Sequence, residues 1–133
     1  MHDMTQEEIK EYLEKDDLVI LPIGSTEGHG PHLPLGTDTY EAIDYATMAA
    51  EETGALLAPP IWFGDSRHHM ALAGTISLKP ETIIELLSDV YESLIEHGFR
   101  KILTFNGHRH ENAAIELAVK RVKRRYPNVV MVI

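Results

Sequence analysis

The pattern of this 133-residue chain predicts an α/β fold, a three-layer α/β/α arrangement around a mainly parallel sheet. Short apolar runs alternate with amphipathic stretches of helical period, an order that joins parallel strands through helices and covers both faces of the sheet. Glycine or proline follows each of the first three runs, so three segments leave the carboxyl ends of strands. Six of the eight histidines fall in those segments, as His29, His32, His68, His69, His108 and His110. Histidines scattered at random would not gather there. One domain over residues 1–133 is expected, because the length suits a single core and no repeat or low-complexity tract divides it.

Taken in order, Thr5 to Lys15 reads as a short amphipathic helix with Ile9, Tyr12 and Leu13 on one side. Thr5 with Glu8 three residues on has the pattern of a capping box. Asp17 to Ile23 is a buried first strand that Gly24 ends. A helix is expected from about Thr39 to Thr53, with Ile43, Ala46 and Ala50 on a small-residue face and Gly54 closing it. Ala55 to Ala58 is a short second strand, stopped by Pro59-Pro60. Ile61 to Ser77 is a long irregular connection, and such loops in compact domains usually carry function. Pro80 opens the clearest helix, with Ile83, Leu86, Leu87, Val90, Leu94 and Ile95 at helical spacing as far as His97-Gly98. Lys101 to Phe105 is the third strand and Asn106 to His110 its turn. Glu111 to Tyr126 is the last helix, with Ile115, Ala118, Val119 and Val122 inward and Lys120 to Arg125 matching its carboxyl-end dipole. Val129 to Ile133 is a fourth strand.

Composition narrows the chemistry. Twelve basic against twenty-one acidic residues give a formal charge of −9, which repels a phosphate backbone and argues against nucleic acid as a partner. Without cysteine there are no disulfides, thiolate metal sites or cysteine nucleophiles. Any metal must be held by nitrogen and oxygen. No signal pattern opens the chain and no apolar run approaches the roughly 20 residues of a membrane helix, so no membrane partner and a cytoplasmic location are expected.

Leu21 to Asp38, LPIGSTEGHGPHLPLGTD, holds two histidines and two carboxylates among four glycines and three prolines. It begins at the end of the first strand, where open α/β sheets bind ligands. If the segment past Gly24 stays extended, Glu27 and His29 project to the same side and reach one centre or two adjacent ones. Asp38 stands at the start of a helix, as a ligand or as a cap, with Glu41 three residues on. Glu27 alone would be a solvated loop carboxylate, and His29 alone a backbone-bonding turn residue.

GSTEGHGPHLPLGTD resembles the signature of the creatininase (creatinine amidohydrolase) family of metal-dependent amidohydrolases. The resemblance implies that Glu27, His29 and Asp38 are metal ligands, with the aspartate bridging two divalent ions, and that His108 of Asn106-Gly107-His108 is a fourth. Imidazole and carboxylate donors suit zinc or manganese, with iron possible, and two carboxylates with two neutral histidines balance two divalent ions. His69, five residues before Gly74-Thr75-Ile76-Ser77-Leu78, matches the family's histidine before such a segment and is the candidate catalytic residue, on the substrate side or behind the ligands. His68 beside it reads as an exposed bystander, His32 as a loop organiser and Trp62 as core or pocket wall. NGHRHEN departs from the commoner Asn-Gly-His-Gly-Gly-Asn, and where some members place a ligating glutamate two residues after the histidine, this chain has His110, with Glu111 one further on. Which of the two, if either, completes a second metal position is left open.

The expected activity is hydrolysis of a non-peptide C–N bond, in a cyclic amide or formamide, by metal-activated water. The resemblance spans only the amino-terminal half of a typical member, so the sheet is expected to stop short after its fourth strand. The alternative is a non-catalytic metal-binding half-subunit or fragment. A homo-oligomer, or a second chain supplying the carboxyl-terminal half, would complete the site.

Overall fold

The computed structural model describes residues 1–133 and bears out the α/β reading. The strands are β1 (Leu18–Ile23), β2 (Leu56–Leu57), β3 (Lys101–Asn106) and β4 (Val130–Val132). The helices are α1 (Gln6–Leu13), α2 (Thr37–Thr53), α3 (Pro80–Glu96) and α4 (Asn112–Arg125), with single 3-10 turns at Arg67–His69 and Arg109–Glu111. All four strands are parallel, in the order β2-β1-β3-β4, with Leu18 opposite Lys101 and Ile23 opposite Asn106. The chain builds outward from β1 to β2 and then returns to β3 on the other side. The connection therefore reverses between β1 and β3, and their carboxyl ends open the crevice in which such sheets bind ligands.

Alternation along β1 fixes the layers. Val19, Leu21 and Ile23 are buried against a cluster that includes Ile83, Leu87 and Tyr91 of α3 and Ile115, Ala118 and Val122 of α4. Ile20 points the other way, onto Ala46 of α2 and Ala55. Pro22 sits inside this central strand without breaking it. It lacks an N–H, yet its carbonyl still accepts from Ile61, and Gly24 N–H donates back to Ile61, so the ladder resumes past Pro59-Pro60. β2 has two residues instead of the four expected, because the prolines stop it after Leu57 and Ala55 N–H donates instead to Thr53 Oγ1 at 3.3 Å.

Three further differences have local causes. Leu86 is exposed, because the buried stripe of α3 runs through Tyr91, whose hydroxyl meets Thr104 Oγ1 at 2.7 Å. A 3-10 turn precedes α4, which begins at Asn112 and not at Glu111. Two residues earlier than expected, α2 starts at Thr37 with Gly36 as its N-cap, which puts Asp38 inside the first turn. The capping box of α1 forms as read, with Thr5 N–H donating to Glu8 Oε2 at 2.7 Å and Glu8 N–H to Thr5 Oγ1 at 3.3 Å. None of the helices is long and apolar enough to cross a membrane.

Candidate metal centre

Three segments converge at the crevice: residues 24–38 after β1, 61–79 after β2, and 107–111 after β3. Backbone bonds weld the first two. Ile76 N–H donates to the Thr26 carbonyl at 2.9 Å, Thr26 Oγ1 to the Trp62 carbonyl at 2.8 Å, and Gly28 N–H to Thr75 Oγ1 at 3.1 Å. Glu27 N–H donates to the Leu35 carbonyl at 2.9 Å, which folds the first segment back on itself. Glycine makes the close approach of α2 possible. A Cβ on Gly24 would overlap the backbone of Thr39, and one on Gly107 would overlap the carbonyl of Asp38. Hence the ends of β1 and β3 seat directly against the first turn of α2.

That seating aims Asp38 into the crevice. Its Oδ1 lies 2.9 Å from His29 Nε2 and its Oδ2 lies 2.7 Å from His108 Nδ1, while Ser25 Oγ donates to Oδ2 at 2.8 Å. It makes no capping bond. The N-terminal end of the helix favours the negative charge held there. His29 is oriented from behind by its own loop, with Nδ1 at 3.1 Å from the Glu27 carbonyl. His108 is buried, and its Nε2 lies 3.1 Å from the Asp65 carbonyl.

Glu27 completes the group in a different way. It is 4% exposed, and Oε2 has no hydrogen-bond partner. Around the carboxylate stand His108 Nε2 at 3.5 Å from Oε2, with His69 Nε2 at 3.6 Å and His29 Nε2 at 4.0 Å from Oε1. Those separations are too long for hydrogen bonds. They suit donors sharing an ion, since two atoms each about 2.1 Å from a tetrahedral centre are roughly 3.4 Å apart. Two sets of donor atoms could each hold a metal ion, Glu27 with His29 and Asp38, and Glu27 with His68 and His69, and within each set the atoms lie within 4.8 Å of one another.

The electrostatics follow from this crowding. Burial is the largest single influence on Asp38 and His108 and works against the charged form of each, but their mutual hydrogen bond together with their other partners outweighs it. Asp38, helped by Ser25 and His29, is held below the usual carboxylate range, and His108, helped by the Asp65 carbonyl and Glu27, is raised to about 9. Glu111 is fully buried, both of its oxygens lack partners, and burial pushes its carboxyl up to about 8 against the opposing influence of His108.

The structure thus brings together all four residues read as ligands, and sets His69 beside them, about one third exposed. Of the two residues left open, Glu111 turns inward against Gly64, while His110 stays exposed with its ring 4.0 Å from that of His68. His68 is exposed as read, and a nitrogen of its ring lies within 4.8 Å of donor atoms of Glu27 and His69, a grouping for which adjacency to His69 was the only sequence signal. Ser25, which fixes Asp38, and the Asp65 carbonyl, which meets His108, had no signal at all. Trp62 is half-buried with Tyr40 edge-on at 5.4 Å, and His32 is exposed on the loop.

Comparison with known proteins gives the family and agrees with the fold. A family model described as creatininase, creatinine amidohydrolase, matches residues 2–132. The chain is 42% identical over 109 residues to a 3-dehydro-scyllo-inosose hydrolase of Thermotoga maritima, covering 81% of this chain and 35% of that protein. It is 38% identical over 114 residues to a mycofactocin precursor peptide peptidase of Mycobacterium ulcerans, covering 79% and 45%. Among solved structures, one described as "Creatininase Mn" superposes with a TM-score of 0.93 at 26% identity, over 99% of this chain and 56% of that one. A mutant creatininase of Zn-Zn type gives a TM-score of 0.92 at 26% identity, over 99% and 55%. The chain therefore spans about half, or less, of the proteins it matches.

Proposed function

The chain belongs to the creatininase (creatinine amidohydrolase) family, and from that premise we propose that it carries the metal-holding part of a hydrolase for a non-peptide C–N bond, in a cyclic amide or formamide. One observation bears most of the weight: Glu27 is buried with an unpartnered oxygen in a ring of three imidazoles, and Asp38 faces a different histidine with each of its oxygens. A buried carboxylate without a partner is costly, and a divalent cation is the partner its surroundings suit. Glu27, His29, Asp38 and His108 are the proposed ligands. Their nitrogen and oxygen donors fit zinc, manganese or iron, and the zinc and manganese creatininase structures support that choice. Two ions are proposed because the two oxygens of Asp38 are directed apart.

Bound divalent ions supply the acidity that makes water nucleophilic near neutral pH and the positive charge that steadies an oxyanion. The chain's own residues do the positioning. In the ion-free chain Ser25 holds the Asp38 carboxylate, Asp38 holds the rings of His29 and His108, and the Asp65 carbonyl holds the far side of His108, so His108 would take an ion in place of one of its ring protons. His69, at the open side of Glu27, is the proposed catalytic residue of this half of the site. A small amide, a homo-oligomer or a second chain, and a cytoplasmic setting belong to the same proposal.

A second substrate class has specific support, since the 42% identical relative is named for an inosose, a cyclic polyhydroxy ketone without an amide. A second role is favoured by coverage of about half of the matched chains: binding of metal alone, with turnover only after a partner completes the site.

Native mass spectrometry of the chain with zinc or manganese tests the ligand assignment. Two ions per chain are expected, and Glu27→Ala and Asp38→Ala should each abolish stoichiometric binding. Metal retained in both variants would overturn it. The loaded chain is then assayed on cyclic amides, formamides and an inosose ketone, where turnover of one class alone selects the substrate and turnover of none favours the binding-only role.

A further inference from the structure

His108 stands between the end of β3 and the 3-10 turn that leads into α4, outside any helix or strand. Its backbone N–H and carbonyl therefore need partners that no ladder supplies. One side chain satisfies both. Asn106, the last residue of β3, accepts from the His108 N–H through Oδ1 at 3.0 Å and donates through Nδ2 to the His108 carbonyl at 2.8 Å. Nδ2 also donates to Asn112 Oδ1 at 2.8 Å, on the first residue of α4. Both amide protons and the amide oxygen are thus engaged, and the turn Arg109–Glu111 lies inside the closed loop. Gly107, between the two, is fixed in turn by its N–H to the Ile23 carbonyl at 2.8 Å.

We propose that Asn106 is a positioning residue of the metal centre: its amide, braced by Asn112, sets the backbone of His108 so that the ring meets Asp38 before any ion arrives. The inference rests on the reading of His108 as a ligand and goes beyond it by naming the side chain that aims it. With the backbone held, two contacts fix the ring, Asp38 Oδ2 at 2.7 Å from Nδ1 and the Asp65 carbonyl at 3.1 Å from Nε2. The chemistry of the clamp selects asparagine. Aspartate would set an acceptor against two other oxygens, those of His108 and Asn112, and glutamine is one methylene too long for the same reach.

Asn106→Asp keeps the shape and breaks the clamp, Asn112→Ala removes only its brace, and His108→Ala tests the underlying reading. In long-range proton–nitrogen spectra of the metal-free chain, the His108 ring nitrogens report its bond to Asp38. They should move toward free-imidazole positions in Asn106→Asp, and part of the way in Asn112→Ala. Zinc is then titrated by calorimetry. Of two steps in the wild type, Asn106→Asp should weaken one by about 10–100-fold, as loss of a partner behind a ligand does, and Asn112→Ala the same step by less. Equal weakening of both steps would show a merely structural role and overturn the proposal. Unmoved His108 nitrogens in Asn106→Asp overturn it whatever zinc does. One step lost in His108→Ala but unchanged in Asn106→Asp overturns the clamp alone. Both steps unchanged in His108→Ala overturn the ligand reading, and the metal-free spectra still decide on the clamp.

Discussion

Glu111 is where residue chemistry and backbone geometry constrain each other most tightly. Its carboxyl fills the space where any side chain at position 64 would lie, so Gly64 and Glu111 form one packing unit behind His108. The carboxyl is raised from 4.5 to about 8 by burial. Between those values the folded chain keeps a proton that the unfolded chain has lost, so stability falls as pH rises through that window. A shift of this size corresponds to roughly 3 to 5 kcal/mol across the window. His108 acts in the same direction at higher pH: raised from 6.5 to about 9, it contributes stability that is present below 6.5 and lost as pH rises through 9. Glu111→Gln keeps the shape and removes the proton equilibrium. In urea unfolding of the metal-free chain between pH 5 and 9, the variant should lose most of the decline below pH 8 and gain stability relative to wild type at pH 8. Parallel pH profiles for the two proteins would show that Glu111 is not the source.

At the scale of elements, the site depends on how α2 is seated more than on any loop. Much of this was legible in the sequence. The strand ended by Gly24, the helix opened by Pro80 and the histidine-bearing segments are encoded locally, by turn residues and by period. Glu27, His29, Asp38 and His108 could be picked out because their residue types and spacing form a recognisable signature. What stayed hidden depends on contacts between segments distant in the chain. Whether Asp38 caps or points into the crevice is decided by how closely Gly107, sixty-nine positions later, approaches its carbonyl. Whether His68 comes near Glu27 depends on a turn pinned by Ser77. Gly107→Ala should therefore push the first turn of α2 away from β3 and cost about 1–3 kcal/mol in stability, as overpacking does. It should also weaken zinc binding by at least about tenfold, because a displaced Asp38 can no longer face His29 and His108 together. Calorimetric titration of Gly107→Ala beside wild type checks this, and unaltered zinc affinity in a folded variant would show that the seating of α2 does not set the site.

For the whole molecule, the decisive feature is the edge at β4. This strand pairs with β3 only over Lys101–Leu103, and the remainder of β3, Thr104 to Asn106, borders a groove of about 540 Å³ lined also by Asn112, Glu116 and Ile133. Val130, Val132 and Ile133 are each about half exposed, so apolar side chains and unpaired backbone groups lie side by side on one rim. Such an edge templates pairing with another strand unless charge or proline blocks it, and neither is present from Val129 to Ile133. The formal charge of −9 keeps copies apart at low salt, but its reach shrinks to about 8 Å at physiological ionic strength. A polypeptide of these 133 residues alone should therefore self-associate through this edge, more strongly as salt is raised. Val132→Lys places a positive charge on the rim without touching the core or the metal centre. In sedimentation velocity experiments across a concentration series, the wild type should shift to larger species as concentration and salt increase, while Val132→Lys should stay nearer to monomer with the same zinc stoichiometry. Equal association in both proteins would place the contact elsewhere, and the exposed Tyr45 and Met48 of α2 would be the next surface to test.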